Sequence, residues 1–208
     1  MNLVRQLAIL SGSLISLRLI SFAFLSDNHG MNKSKIFIWE ITGAILISLL
    51  GSLLHFAFDF LGKWPPAALI AAVNESVWEH LKLAFWPALI FAFIEWPFFR
   101  RRLRNFWTAK AIGIFTMPLV ISSVFYGYTA IAGHNILWID ISLFVIAVFA
   151  GQIVSYKLLL RSTFVLVIKI LAITILVLLI VSFSLFTFFP LHCSLFCDPP
   201  TGQHGILK

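Results

Sequence analysis

Residues 163–189 read TFVLVIKILAITILVLLIVSFSLFTFF. A single charge, Lys169, interrupts an apolar run longer than the roughly 20 residues an α-helix needs to cross a bilayer. Lys169 lies one to two turns into the run, near enough to its end for the apolar stem to carry the ammonium back to the membrane surface. Four more apolar runs precede this one, at about 36–61, 66–99, 108–131 and 136–156. Read together, they predict an all-α, polytopic membrane protein with five core transmembrane helices.

Composition points the same way. Hydrophobic residues make up 61% of the 208, charged residues 11%, and the mean hydropathy is +1.01. A soluble domain carries roughly 25% charged residues, so this chain has too few to solvate a globular surface. That argues against a soluble enzyme, a disordered chain or a nucleic-acid binder. The formal net charge of +7 resembles that of a nucleic-acid-binding protein, but the basic residues sit between the apolar runs. The expected partners are therefore membrane lipids and not nucleic acid.

A weaker sixth run spans about 3–25. It carries Arg5 and, well inside it, Arg18, where a charge costs roughly 2.5–3.5 kcal/mol on insertion scales. Ser26-Asp27-Asn28-His29-Gly30 then signals a loop, and Met31 precedes a clean span. Residues 1–30 are thus expected to be an N-terminal extension or a peripheral or sixth helix. Residues 31–208 are expected to be a single transmembrane domain.

The loops predict orientation. Lys33 and Lys35 precede the first core span; Arg100, Arg101, Arg102 and Arg104 follow the second; Lys157 and Arg161 follow the fourth. The intervening connections hold only Lys63. By the positive-inside rule the basic connections are cytoplasmic and the C-terminal tail is extracytoplasmic, in a multi-pass protein of the plasma membrane.

The second run is too long. Its 34 residues would extend roughly 50 Å as one helix, against a hydrocarbon core near 30 Å. Strong tilt is one solution and a break is the other. Pro65 and Pro66 suit a helix start, Asn74 or Ser76 can cap a second helix, and Ser76-x-x-Glu79 matches a capping box.

Ionisable residues inside spans carry the functional information. His55 and Asp59 lie one turn apart near the end of the first span. Glu75, Glu79, His80 and Lys82 follow in the second. On a continuous helix Glu79 lies about 40° from Glu75, with Lys82 about 20° on its other side; these three form one stripe, and His80 faces another neighbour. Tyr126 and Tyr128 end the third span, Asp140 begins the fourth, and Asp198 and His204 lie in the tail. The topology places all of these in the outer leaflet. Glu40 beside Trp39 and Glu95 beside Trp96 read as interfacial anchors at the cytoplasmic ends.

Left unpaired, five such groups would cost on the order of 10 kcal/mol, comparable to the whole stability of a domain. Three arrangements avoid that cost. The first is a structural polar network pairing Glu79 with Lys82 and Asp59 with His55. The second is a metal site, zinc being the metal considered, with His55, Asp59, Glu75, Glu79 and His80 as ligands. In this case Glu75 or Glu79 would act as general base in a metal-assisted hydrolase or lipid-modifying enzyme, its pKa raised by burial. The third is a small transporter or proton pathway using the same carboxylates. Asn74, Lys82, Tyr126, Tyr128, Asp140 and Asp198 complete the candidate site. No His-Glu-x-x-His, Gly-x-Ser-x-Gly or phosphate-binding glycine loop accompanies them.

The tail from Phe189 to Gly205 is rich in turn residues, yet it holds Leu195 and Phe196 to bury. It reads either as a frayed terminus or as a plug folded back over the outer mouth. Cys193 and Cys197 are placed to form a small disulfide on that side.

Gly51-Ser52-Leu53-Leu54-His55-Phe56, followed by Val73-Asn74-Glu75-Ser76-Val77-Trp78-Glu79-His80-Leu81-Lys82-Leu83, resembles an uncharacterised group of small prokaryotic integral membrane proteins, domain-of-unknown-function family 6512. The tail around Phe196-Cys197-Asp198-Pro199-Pro200-Thr201-Gly202 is similar to that family's ending, but departs from its pattern at Cys193, Cys197 and His204. The resemblance covers about Met31 to Ile206. It implies a membrane protein with a distinctive motif and no assigned activity.

Overall fold

Helix ends fall where local chemistry interrupts the apolar runs. A computed structural model of the chain describes residues 33–206. The run at 3–25, the loop after it and the start considered at Met31 lie outside the described residues. Five helices follow in order: α1 (Lys33–Phe60), α2 (Val77–Phe99), α3 (Phe106–Ala132), α4 (Leu137–Leu159) and α5 (Leu166–Phe188). Each is long and apolar enough to cross a membrane. The shortest have 23 residues and reach about 35 Å, enough for a hydrocarbon core of roughly 30 Å. Two short 3-10 turns, Pro65–Leu69 and Ser194–Phe196, and an isolated antiparallel bridge between Cys197 and His204 complete the secondary structure of the described residues.

The long second run is broken rather than tilted. Pro65 and Pro66 open the first 3-10 turn, residues 70–76 are non-helical, and α2 begins only after Ser76. α1 stops at Gly62 and Lys63, both with positive φ. Their N–H groups donate to the Asp59 carbonyl at 3.0 Å and the Phe58 carbonyl at 2.9 Å, satisfying two of the orphan acceptors at the helix end.

The connections define two ends of the bundle. At the basic end, Ile36, Phe99, Leu103, Phe106 and Leu159 pack together. There Asn105 Nδ2 donates to the carbonyls of Leu158 at 2.6 Å and Arg161 at 2.9 Å. The other end, here called the tail end, holds residues 61–76, the α3–α4 turn and the C-terminal segment.

Small residues let the helices approach closely. A Cβ on Gly113 would stand 2.8 Å from the Gly151 carbonyl oxygen, and one on Gly151 would stand 2.6 Å from that of Gly113. The backbones of α3 and α4 therefore touch, as at small-residue contacts in membranes. Phe85, Ile114, Met117, Ala147 and Val148 are buried at the bundle centre. Leu53, Phe60, Ile131 and Leu166 lie exposed on its outside. Facing water, so much apolar surface would be a liability; facing lipid, it is the required exterior.

Candidate functional site

The non-helical segment needs acceptors and donors for its backbone, because Ala71, Ala72 and Val73 are buried. Two α2 side chains supply them. The Val73 N–H donates to Glu79 Oε2 at 3.1 Å, and Lys82 Nζ donates to the Ala68 carbonyl at 2.8 Å. Glu79 and Lys82 also pair with each other at 2.6 Å. Thr187 of α5 accepts from Lys82 Nζ at 2.8 Å, and its hydroxyl proton is shared between Glu79 Oε1 and the Phe183 carbonyl. These groups form the polar lock that the first arrangement expects of Glu79 and Lys82.

The capping box is only half formed. Ser76 Oγ accepts the Glu79 N–H at 3.4 Å. The reciprocal acceptor for the Ser76 N–H is Asn74 Oδ1 at 2.9 Å, not the Glu79 carboxylate.

Because Ser76 caps α2, Glu75 precedes the helix. The angular argument that groups it with Glu79 and Lys82 therefore does not hold, whereas His80, on α2, does face a different neighbour from Glu79. The Glu75 carboxylate turns to two imidazoles. Oε1 lies 3.6 Å from His55 Nε2, and Oε2 lies 3.4 Å from His80 Nε2. One ligand atom from each of His55, Glu75 and His80 falls within 4.8 Å of the others. His80 Nδ1 is 2.9 Å from the Ser76 carbonyl. In the neutral ring Nδ1–H donates to that carbonyl and Nε2 presents a lone pair to the cluster, the tautomer a metal ligand needs.

When the ring is protonated instead, its Nε2–H faces the Glu75 carboxylate, and hydrogen bonding to the His80 ring holds that carboxyl below its usual range, against the partial burial that raises it. This reverses, for Glu75, the expectation that burial lifts a carboxylate towards neutrality. An ionised, half-exposed Glu75 suits a ligand better than a general base.

The C-terminal segment folds back over the cluster and is not frayed. Asp198 is buried, and its Oδ1 accepts the Glu75 N–H at 2.8 Å. Its Oδ2 accepts from the Thr201 N–H at 3.2 Å and hydroxyl at 2.5 Å. Asn74 Nδ2 donates to the Gly205 carbonyl at 2.8 Å. Phe196 anchors the plug, its ring 4.8 Å from that of Trp78. Cys193 and Cys197 are free thiols. His204 stacks near His192, ring centroids 5.1 Å apart, outside the triad.

Other expected members stand apart. Asp59 is exposed on α1 and lies outside the three-ligand group. Tyr128 and Asp140 close the α3–α4 turn instead: the Tyr128 hydroxyl donates to Asp140 and accepts the Ile136 N–H at 3.1 Å. Tyr126 is partly exposed on α3 and interacts with Ser194 of the tail.

A second buried ionic cluster lies towards the basic end, so the ionisable groups do not all gather at one end. Glu40 and Glu95, expected as interfacial anchors, are 2% and 0% exposed. Both converge on Lys110 of α3, Glu40 Oε1 at 2.7 Å and Glu95 Oε2 in closer contact. Ser155 of α4 donates to Glu40 Oε1 at 3.1 Å. Sequence reasoning missed Lys110 altogether. The available signal was depth: Glu40 lies seven residues inside α1, about 10 Å below its start, too deep for a surface anchor.

The model of a family of unknown function, DUF6512, matches residues 28–206, so the chain belongs to that family. No curated protein and no solved structure matches the chain.

Proposed function

We propose that this member of a family of unknown function binds a divalent transition-metal ion, zinc first among the candidates, at His55, Glu75 and His80. The spacing of the three ligands carries the reading. Separations of 3.6 and 3.4 Å are long for charge-assisted hydrogen bonds, which run about 2.7–2.9 Å. Each is close to the roughly 3.4 Å between two ligands of one tetrahedral zinc at bond lengths near 2.1 Å; they run from different carboxylate oxygens, and with one atom taken from each residue the three lie within 4.8 Å of one another. Two imidazoles and one carboxylate leave a coordination position open, and the partial exposure of His80 and Glu75 leaves that position accessible. A water bound there is the reagent of metal-assisted hydrolysis. Glu75 serves as a ligand in this arrangement and Glu79 is committed to Lys82 and Val73, so the site supports metal binding first and hydrolysis of a membrane-borne substrate only as its consequence.

The same reading places the site on the extracytoplasmic side of a plasma membrane. Its support is the set of basic residues at the opposite end: Lys33, Lys35, the Arg100–Arg104 run, Lys157 and Arg161. Metal analysis of the purified full chain tests the binding claim. One zinc per chain after loading and desalting is expected, with loss in both His55→Ala and His80→Ala. Absence of stoichiometric metal in the wild type, or its full retention in both variants, would refute it.

A further inference from the structure

The Glu40–Lys110–Glu95 cluster has one more carboxylate than it has cations. If all three groups are ionised, a net negative charge is fully enclosed by protein. Among the described residues, the groups that face it do not compensate. α1 contributes Glu40, α2 Glu95 and α3 Lys110. α4 contributes only the uncharged Ser155 and Gln152, Gln152 donating to the Glu40 backbone carbonyl at 3.3 Å. The rings of Phe91 and Phe106 lie 6.0 and 5.8 Å from Lys110 Nζ and complete a largely apolar wall.

Three carboxylate oxygens in the cluster, Glu40 Oε2 and both of Glu95, are buried with no hydrogen-bond partner among the described residues, Glu95 Oε2 being held by its ion pair with Lys110 alone. Buried polar atoms are almost always satisfied, and two like charges drawn to one centre disfavour each other's ionised form. A proton on one carboxyl removes the excess charge and converts an orphan acceptor into a hydroxyl donor. A metal cation fits less well. Lys110 Nζ already occupies the centre, and the remaining oxygens fall short of the six to eight that a hard cation such as calcium collects.

A narrow cleft between α1 and α4, bordered by Phe37, Ile41, Gln152, Ile153 and Tyr156, lies against Glu40 with an apolar wall and has room for about one water-sized molecule.

We propose that Glu40, Glu95 and Lys110 form a binding site for one exchangeable proton, taken up as H⁺ from water. Uptake makes one O–H bond on a carboxylate, and release returns the proton to water; no other bond changes. The cluster is remote from His55, Glu75 and His80, so it stands or falls independently of the metal site.

Infrared spectroscopy of the full chain in lipid nanodiscs tests this. At neutral pH the wild type should show the carbonyl stretch of a protonated carboxyl, displaced in heavy water. Glu40→Gln and Glu95→Gln, each leaving one carboxylate opposite Lys110, should each abolish it while circular dichroism stays helical. Lys110→Met should enlarge it, because the second carboxyl then takes up a proton as well, and this variant decides the matter if the glutamine variants fail to fold. A wild type with no such band overturns the proposal. So does a band unchanged in both glutamine variants, or one unchanged in Lys110→Met.

Discussion

Glu79 Oε2 accepts the Val73 N–H at 3.1 Å and pairs with Lys82 Nζ at 2.6 Å. One carboxylate oxygen thus holds together the broken segment and the helix that follows it. Truncating one member of a buried pair leaves the other uncompensated and costs about 3–5 kcal/mol. Glu79→Ala and Lys82→Ala are each expected to destabilise the protein by that much in detergent unfolding. Combining Glu79→Gln with Lys82→Met should cost clearly less than the sum of the two alanine effects, because the amide still accepts from Val73 and no charge is left stranded. Simple additivity of the two alanine effects in the double alanine variant would show that the two side chains act independently.

Asp198 makes no contact with the two imidazoles, yet it fixes the Glu75 backbone. Partners that orient a ligand typically contribute 10–100-fold in metal affinity. Asp198→Ala is expected to weaken zinc binding by about that factor in isothermal titration while leaving the number of sites at one. Unchanged affinity would mean that the tail does not position Glu75.

The contact between Gly113 and Gly151 leaves no room for a methyl group. Gly151→Ala places Cβ 2.6 Å from the Gly113 carbonyl oxygen and 2.5 Å from a Met117 side-chain carbon. Overpacking of this kind costs about 1–3 kcal/mol, to be read as a lower melting temperature. Gly127→Ala, where a Cβ meets nothing within 4 Å, is the control and should be neutral or better, since alanine favours helix.

Cys193 is an exposed free thiol in the tail. If the tail end is extracytoplasmic, a membrane-impermeant maleimide added to intact cells should label Cys193, and Cys193→Ser should lose most of the signal. Labelling that appears only after the membrane is opened would invert the topology.

The spans were legible because their signals are local. Apolar runs, Pro65-Pro66 and the Ser76 cap together locate the helices and the break, and an i,i+3 spacing is enough to pair Glu79 with Lys82. Glu75 was not legible in the same way. Its direction depends on whether the cap of α2 is the residue before it, Asn74, or the residue after it, Ser76, and that choice sends its carboxylate either to Lys82 or to two imidazoles. Glu40, Glu95 and Lys110 escaped for a different reason. They come from three helices: the depth of Glu40 argues that it turns inward, but nothing along the chain identifies its partner as an ammonium 70 positions away.

The ties from the tail to Asn74 and Glu75 bridge 131 and 123 positions, which imposes an order on biogenesis. His55, Glu75 and His80 emerge from the ribosome long before Asp198 does, and α3, α4 and α5 must be threaded into the membrane in between. Until residue 198 has been made, the Glu75 amide lacks its anchor. His55, Glu75 and His80 therefore reach their final geometry among the last events of assembly, and a nascent chain halted after α5 would carry all three without the segment that holds the Glu75 backbone.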